Sequence, residues 1–534
     1  MRPSRSLSLS LVASLLLVLS LKTQAAAGDD RDDDRRVRHV LLISVDGLHA
    51  LDLTNYVAAH PNSTLASLSK HGKTYTNASA SQPSDSFPGL AALVTGGSPI
   101  TTGLWYDVSF NRKLSPPKLT NPILGAPAGP CPSTGGTIVE LDESVDQDLT
   151  LLNGGGSLDS DFLPRDPNNG CAPVFPHQYL RVNTIFEVIK NHGGRTAWTD
   201  KHPSYEWTNG PSGHGVDDFF GPEINSIPVA LPQFPGCSPV NAPAPTPDDG
   251  WLTDLNNIKC YDSLHVQAIL NQIDGFNHDR SKKTGVPAIF GANFQVVSVG
   301  QKLKGNGYQD VLGTPTPGLQ GELDFVDQSL GRMVSELKKH DLFESTLIII
   351  GAKHGQSPID VQKRVGIGGG EPATTVGSAE AFDISDDGSL IWLTDPSLTA
   401  GVVANLSLPA VQNHLGIQEI FALNSLEEKF NSPLLDERTP DIILKTNIGV
   451  IFTGGSKIAE HGGLNEDDLH TALLLSMPGL HPARIKVPVT NQQVAPTILK
   501  ALGLDPDELD AVRAEHTQVL PFFFGRDDDR DDRE

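Results

Sequence analysis

The chain has 534 residues, of which 38% are hydrophobic and 19% are charged. Its formal net charge of −24 argues against binding nucleic acid through a basic surface. The longest apolar stretch, Leu7–Leu21, is too short to cross a bilayer, so no membrane span is expected.

The two ends of the chain predict export and disorder. Residues 1–27 combine Arg2 and Arg5 with this apolar stretch and end in small residues, which is typical of a secretory signal peptide. We therefore expect a secreted, extracellular protein. Residues 28–37 and 526–534 are runs of mixed charge that cannot bury apolar surface, so they are predicted to be disordered.

Two segments near the start of the mature chain predict a site. Val40–Val45 is an apolar run that ends in Asp46, as a buried parallel strand does when it delivers an acid to the edge of a sheet. Ser86 lies two residues before Pro88, which fits the first turn of a helix. Backbone N–H groups and the helix dipole favour anions there. The pair predicts a metal-binding aspartate that faces a serine able to attack phosphorus.

Helical and strand patterns alternate along the rest of the chain. Further helices are predicted at Leu51–His60, Thr64–His71, Thr184–His192, Asp262–Ile273, Leu323–Leu337 and Gln492–Leu502. Further strands are predicted at Arg195–Thr199, Val286–Phe294, Ser345–Gly351, Leu390–Thr394, Asp441–Thr446 and Thr471–Ser476. This alternation predicts an α/β domain over residues 38–525, with a mainly parallel central sheet and helices on both faces. Pro- and Gly-rich stretches near 115–175 and 228–250 are interpreted as insertions.

The cysteines and the glycosylation sequons fit an exported protein. Two disulfides are predicted, with three possible connectivities, from Cys131, Cys171, Cys237 and Cys260. Free buried thiols are the alternative. Glycosylation is compatible with the sequons that begin at Asn62, Asn77 and Asn405.

Four motifs occur in an order that resembles a known family. They are Val45-Asp46-Gly47, Ser86-Phe87-Pro88 followed by Leu93-Val94-Thr95-Gly96, His354-Gly355 after a strand, and Glu460-His461-Gly462-Gly463. The chain is similar to type I phosphodiesterases/nucleotide pyrophosphatases of the alkaline phosphatase superfamily, and more closely to a secreted microbial and fungal branch. The resemblance covers roughly residues 40 to 503.

The resemblance implies an alkaline-phosphatase-like fold with a site that usually holds two zinc ions and forms a covalent phosphoenzyme. It makes Ser86 the nucleophile and a metal ligand. It also assigns metal binding to Asp46, His354 and His461. A pair of metal ions clamps the attacking and leaving oxygens of an in-line displacement.

The sequence departs from the family at the other ligand positions. Lys353 stands where the family has an aspartate, and an ammonium group offers a metal no lone pair. Asn293, Gln295 and Gln301 stand where the family has a second Asp/His pair, and amides are poor zinc ligands.

Three interpretations remain open. In the first, Lys353 replaces one metal and contacts the substrate, while the other expected ligands hold one ion near Ser86. In the second, ligands come from elsewhere, and the candidates are Asp200, His202, His214 and Asp217. In the third, the fold is retained without catalysis. A Ser-His-Asp triad built on Ser86 is a metal-free alternative.

The predicted function is a secreted hydrolase of phosphoric esters, including phosphodiesters and pyrophosphates. It acts through a covalent Ser86 intermediate on a small-molecule substrate, with Lys353 as a second catalytic group. The expected cofactor is one or two divalent metal ions, and zinc is the first candidate. The alternative function is that of an extracellular binding protein on the same fold.

Overall fold

A computed structural model describes residues 37–121, 126–238 and 250–524. The predicted signal peptide (1–27), the charged segment up to residue 36 and the charged tail (526–534) lie outside the described residues. An eight-stranded sheet forms the centre of the protein. Its strands, in spatial order, are Ala483–Ile485, Gly72–Tyr75, Leu474–Ser476, Thr346–Gly351, His39–Val45, Ile289–Phe294, Ala197–Thr199 and Asp218–Phe220.

The central sheet is mainly parallel. Among its eight strands, Leu474–Ser476 alone runs antiparallel to its neighbours. The predicted α/β fold class is therefore confirmed. The strand His39–Val45 lies in the middle, paired on both sides in parallel register, so that Asp46 emerges at the carboxyl edge of the sheet.

Alternation along the central strands supplies two cores. Val40 and Leu42 face one hydrophobic cluster, and Leu41 and Ile43 face the other. Helices cover both faces, so every side chain of this strand after His39 is buried. A nearly continuous apolar run, here interrupted only by the buried Ser44, is typical of a parallel strand covered on both faces.

The predicted helices are present and most keep the predicted bounds to within about two residues, but Leu255–Ile273 and Pro317–Lys339 begin well before the predicted Asp262 and Leu323. The bounds of the described helices are Ala50–Ala59, Thr64–Ser69, Ser86–Thr95, Pro99–Thr102, Pro176–Tyr179, Ile185–Asn191, Leu255–Ile273, Val296–Lys302, Pro317–Lys339, Glu371–Val376, Thr399–Leu406, Pro409–Leu415, Asn424–Glu427, Glu466–Leu469, Val494–Ala501 and Asp510–Glu515. Within the described ranges, no helix combines the length and apolar character needed to cross a membrane.

A second sheet contains two of the predicted strands. Its order is Glu380–Ser385, Gly388–Leu393, Ile442–Thr446 and Ile417–Ala422, and all its pairs are antiparallel. The predicted strands at Leu390–Thr394 and Asp441–Thr446 belong here and not to the central sheet. Both faces of this second sheet are covered by hydrophobic clusters of their own, which is why its strands also read as buried apolar runs.

The predicted insertion near 115–175 carries short strands and one disulfide, and the insertion near 228–250 carries one cysteine of the other. Thr137–Glu140 pairs with Val108–Asn111, and Arg165–Asp166 pairs with Ala172–Pro173. Elsewhere in the chain, Val365–Ile367 pairs with Val450–Phe452. A three-stranded sheet has Ala78–Ser79 between His470–Thr471 and Val489–Thr490. Cys131 is bonded to Cys171 and Cys237 to Cys260. The prediction of two disulfides is confirmed, with one of the three possible connectivities.

Candidate functional site

Asp46 is buried at the carboxyl edge of the central sheet. Its Oδ2 accepts hydrogen bonds from the side-chain amides of Gln295 at 2.5 Å and Asn293 at 3.2 Å. The Nε2 atom of His354 lies 3.5 Å from the same oxygen and Nζ of Lys201 lies 3.9 Å away. Burial acts to raise the pKa of Asp46, but the nearby Lys353, His354 and Lys201 outweigh it and hold the pKa well below its usual value.

Ser86 begins the helix Ser86–Thr95, and its hydroxyl lies between two nitrogen atoms. Nζ of Lys201 donates to Ser86 Oγ at 3.0 Å, and Nε2 of His354 lies 3.2 Å from the same oxygen. Asp85 is the N-cap and accepts a hydrogen bond from the Phe87 N–H. This carboxyl group therefore uses one backbone amide of the first turn. The positive charge closest to Ser86 is the ammonium group of Lys201.

His354 presents an unprotonated Nε2 to the serine. Its Nδ1 donates to the backbone carbonyl of Gly355 at 2.7 Å, which fixes the proton on Nδ1 and leaves a lone pair on Nε2. Burial lowers the pKa of His354, although Asp46 opposes this, so the neutral imidazole is favoured. The ring of His461 packs on that of His354 with centroids 3.8 Å apart.

The arrangement contains the three residue types of a Ser-His-Asp triad in a different order. A triad places the serine on one ring nitrogen and the aspartate on the other. Here Ser86 and Asp46 both face Nε2 of His354, whereas Nδ1 bonds to the backbone. The chemistry open to His354 is that of a base on Ser86, with Asp46 beside the proton that the ring would receive.

Lys353 lies beneath this site and does not line a cavity. Its Nζ forms an ion pair with Asp200 at 2.7 Å and lies 4.3 Å from the ring centroid of Tyr205. The side chain is 0% exposed. Burial lowers the pKa of Lys353, although Asp200 opposes this. The position differs from the expected one, in which Lys353 would contact the substrate.

Lys201 is the residue that sequence reasoning missed. It follows the strand Ala197–Thr199 between Asp200 and His202, the two strand-end residues that were weighed as metal ligands. A lysine at a strand end that also carries an acid and a histidine is the signal that could have identified it. The other two candidates lie elsewhere: His214 and Asp217 both contact Lys190.

A cavity of about 840 Å³ opens beside these residues. Lys201, Gln295 and His461 line it on one side, whereas Ser86 is only 1% exposed and lies behind Lys201. We call Asp46, Ser86, Lys201, His354 and His461 the Ser86 corner.

Another part of the cavity lining is acidic. Glu143 and His202 line it, and Glu223 and Asp146 lie behind them. These four residues are called the acidic wall. One ligand atom from each of Glu143, His202 and Glu223 can be chosen so that all three lie within 4.8 Å of one another. The Glu143 segment comes from the predicted insertion near 115–175.

The metal pair implied by the resemblance does not fit the Ser86 corner. The Lys201 ammonium group lies beside both Ser86 Oγ and Asp46, where a cation would be needed. Two amide N–H groups donate to Asp46 Oδ2, which is thereby occupied by donors, whereas Oδ1 has no hydrogen-bond partner among the described residues. Among the described residues, Asp46 forms no three-residue set of clustered metal-ligand atoms.

Comparison with known proteins gives the same fold. The sequence pattern of type I phosphodiesterase/nucleotide pyrophosphatase matches residues 40–121 and 298–470. Murine ectonucleotide pyrophosphatase/phosphodiesterase 5 superposes with a TM-score of 0.52 at 13% identity, covering 88% of this chain and 96% of that chain. An inactive variant of that enzyme in complex with AMP gives the same values. Alkaline phosphatase PafA gives a TM-score of 0.55 with the same identity and coverage. No curated protein matches the sequence.

The fold is alkaline-phosphatase-like. In its matched segments, the chain is similar to the type I phosphodiesterase/nucleotide pyrophosphatase family, a family of phosphoester hydrolases. Asp46, Ser86, Lys353, His354 and His461 lie inside the matched segments. Lys201 and the acidic wall lie in the unmatched stretch between them.

Proposed function

We propose that this protein hydrolyses phosphoric esters of small molecules, including diesters, through a covalent intermediate on Ser86. The observation that carries the proposal is the position of the Ser86 hydroxyl between Lys201 Nζ at 3.0 Å and His354 Nε2 at 3.2 Å. A donor on one side and an acceptor on the other polarise the O–H bond toward the base. This is the arrangement that an activated nucleophile needs.

The reaction has two displacement steps. Ser86 Oγ attacks phosphorus, and its proton passes to His354 Nε2. The bond from phosphorus to the leaving oxygen breaks, and that oxygen takes the proton from His354. Water then attacks the phosphoserine, giving its proton to His354 and restoring the Ser86 hydroxyl. Asp46, at 3.5 Å from Nε2, stabilises the imidazolium form between the two transfers.

Lys201 controls access and stabilises charge. Because Ser86 lies behind it, the substrate must displace the Lys201–Ser86 hydrogen bond before attack is possible. The ammonium group then moves to the phosphoryl oxygens, where negative charge must be stabilised during the displacement. A single positioned donor of this kind contributes on the order of 10²- to 10³-fold in rate.

The metal requirement of the family does not enter either step in this proposal. Zinc, or another divalent ion, is instead assigned to the acidic wall. Export is part of the proposal as well, and two disulfides support it because such bonds persist in oxidising compartments. The sequons at Asn62 and Asn405 are on exposed residues and could accept glycans there.

The test compares Ser86→Ala with Ser84→Ala in the hydrolysis of chromogenic phosphate mono- and diesters. Ser84 lies two residues away and is also buried, but its hydroxyl donates to the Asp468 carbonyl and not to the site. We expect Ser86→Ala to lose about 10⁴-fold or more in kcat/KM, as removal of a covalent nucleophile does. Ser84→Ala should retain activity.

Acid quenching during turnover, followed by peptide mass spectrometry, should find phosphoserine at Ser86. An active Ser86→Ala variant would contradict the covalent mechanism. Wild-type protein that hydrolyses none of the esters but binds them would favour the alternative, an extracellular binding protein on the same fold.

A further inference from the structure

We propose that the acidic wall, formed by Glu143, His202, Glu223 and Asp146, binds one divalent transition-metal ion such as Zn²⁺ or Mn²⁺. The site is separate from Asp46 and the other positions at which the family resemblance placed metal ligands. It does not depend on the proposed hydrolysis, because it is defined by ligand geometry and measured by binding of the metal alone.

The first argument is the convergence of ligand atoms. Nδ1 of His202 lies 2.9 Å from both carboxylate oxygens of Glu223. Glu143 adds a third ligand atom within 4.8 Å of the other two. Ligands that bind one zinc ion at about 2.0–2.2 Å lie roughly 3–3.5 Å from each other, so small side-chain shifts would complete the coordination.

Asp146 provides a second, independent observation. It is only 4% exposed, and neither of its carboxylate oxygens has a hydrogen-bond partner in the described part of the chain. Its carboxyl group lies against that of Glu223. A buried carboxylate that faces another carboxylate and receives no donor is costly unless a cation or a proton lies between them. A metal ion would satisfy both oxygens at once.

The charge balance of the wall points the same way. Among the described residues, no lysine or arginine forms an ion pair with Glu143, Asp146 or Glu223. The surface cluster of Asp274, Glu336 and His340 is different, because Arg280 pairs with Asp274 and Lys339 with Glu336. That cluster has cations in direct contact, whereas in the described part of the chain Lys201 acts on Glu223 and His202 only from beyond ion-pair distance.

The donor set selects the class of ion. The clustered set of two carboxylates and one imidazole, with the Asp146 carboxyl group against Glu223, suits Zn²⁺ and Mn²⁺, whereas Ca²⁺ prefers oxygen ligands alone and takes six to eight of them. Glu143 and His202 line the cavity, and Lys201, the residue before His202, lines it as well. An ion bound between Glu143 and His202 would therefore neutralise acidic charge in the cavity that an anionic substrate must enter. Without it, these carboxylates repel a phosphate ester.

The experiment is metal binding to purified protein that has first been stripped with a chelator and dialysed. Calorimetry with Zn²⁺, Mn²⁺ and Ca²⁺ should show one equivalent of Zn²⁺ or Mn²⁺ bound, and much weaker binding of Ca²⁺. The double variant Glu143→Gln/Glu223→Gln should weaken Zn²⁺ and Mn²⁺ binding at least about 100-fold, the loss expected when ligands are removed. Glu336→Gln, in the surface cluster, is the matched control and should bind as the wild type does.

Asp46→Asn separates this site from the family position. Binding that is lost in Asp46→Asn and retained in the wall variant would overturn the proposal, as would wild-type protein that binds neither ion. Should the wall variant fail to fold, anomalous scattering from wild-type crystals soaked in Mn²⁺ decides. A peak within ligand distance of Glu143 and Glu223 supports the site, and its absence there overturns it. The same titration on Ser86→Ala shows that the result is independent of hydrolysis.

Discussion

The Ser86 corner and the acidic wall both contribute residues to the lining of one cavity, yet their buried charges are paired differently. In and below the Ser86 corner, opposite charges lie together: Asp46 lies beside His354 and Lys201, and Lys353 pairs with Asp200. In the acidic wall, Glu143, Asp146 and Glu223 have one histidine between them. A protein can bury paired charges unaided, but unpaired ones require a proton or a bound ion.

The contrast indicates where each part of the chemistry lies. In the Ser86 corner, ammonium, amide and imidazole groups fill the positions that metal ions would need, so activation of the serine falls to side chains. In the acidic wall, the ligand atoms are present, and among the described residues no lysine or arginine pairs with them. Three expected changes test this contrast, each by removing one charge.

The largest effect is expected from Lys353→Met, which leaves the fully buried Asp200 without its partner. Breaking a buried ion pair from one side costs about 3–5 kcal/mol of the free energy of unfolding. Urea denaturation would measure it. The double variant Lys353→Met/Asp200→Asn should recover most of the loss, because no unpaired charge remains. A single variant as stable as wild type would mean that the pair does not hold the base of the site together.

Lys201→Met is expected to lower kcat/KM about 100-fold, or about 2.7 kcal/mol, because it removes the donor to Ser86 and to the developing phosphoryl charge. Stability should change little. Lys302→Met is the matched control, since Lys302 lines the same cavity but pairs with Glu460. Its loss should cost less than about fivefold, the value of one partly exposed ion pair. Equal losses in the two variants would argue for a general effect of cavity charge.

Asp146→Asn should have the smallest effect and the opposite sign. In metal-free protein, burial and the facing Glu223 raise the pKa of Asp146 to about 11, so folding must place a proton on this pair, whereas the amide of the variant can donate to Glu223 without one. Stability should therefore rise by about 1 kcal/mol, the value of one such hydrogen bond. With Zn²⁺ present the order should reverse, because wild type gains binding energy that the variant lacks. Thermal unfolding with and without the metal measures both. Destabilisation under both conditions would mean that Asp146 has an undetected partner.

Much of the fold could be predicted because it depends on local patterns. The apolar run before Asp46 gave the central strand to within one residue, and Ser86 with Pro88 gave the start of its helix. The same logic could not separate the two sheets, since the strand Gly388–Leu393 is as apolar as a central strand. Which sheet a buried strand joins depends on pairing with residues far away in the sequence.

The candidate site was predictable in part for the same reason. Asp46, Ser86, His354 and His461 follow from motifs, and the structure brings them together; their catalytic roles stay proposals. The direction of Lys353 was not predictable. Its partner Asp200 is 153 residues away and belongs to a strand that is not adjacent in the sheet. A side chain after a strand end turns toward whichever opposite charge the fold places nearby.

The sequence by itself therefore determined the α/β class, the family resemblance and the segment that carries the serine, because these depend on periodicity and on short ordered motifs. Only the tertiary structure decided which lysine contacts Ser86, and that the insertion brings Glu143 to the same cavity. The physical reason is that electrostatic partners are set by distance in space. Burial then fixes the energetic weight of each pair, and neither quantity can be read from local sequence.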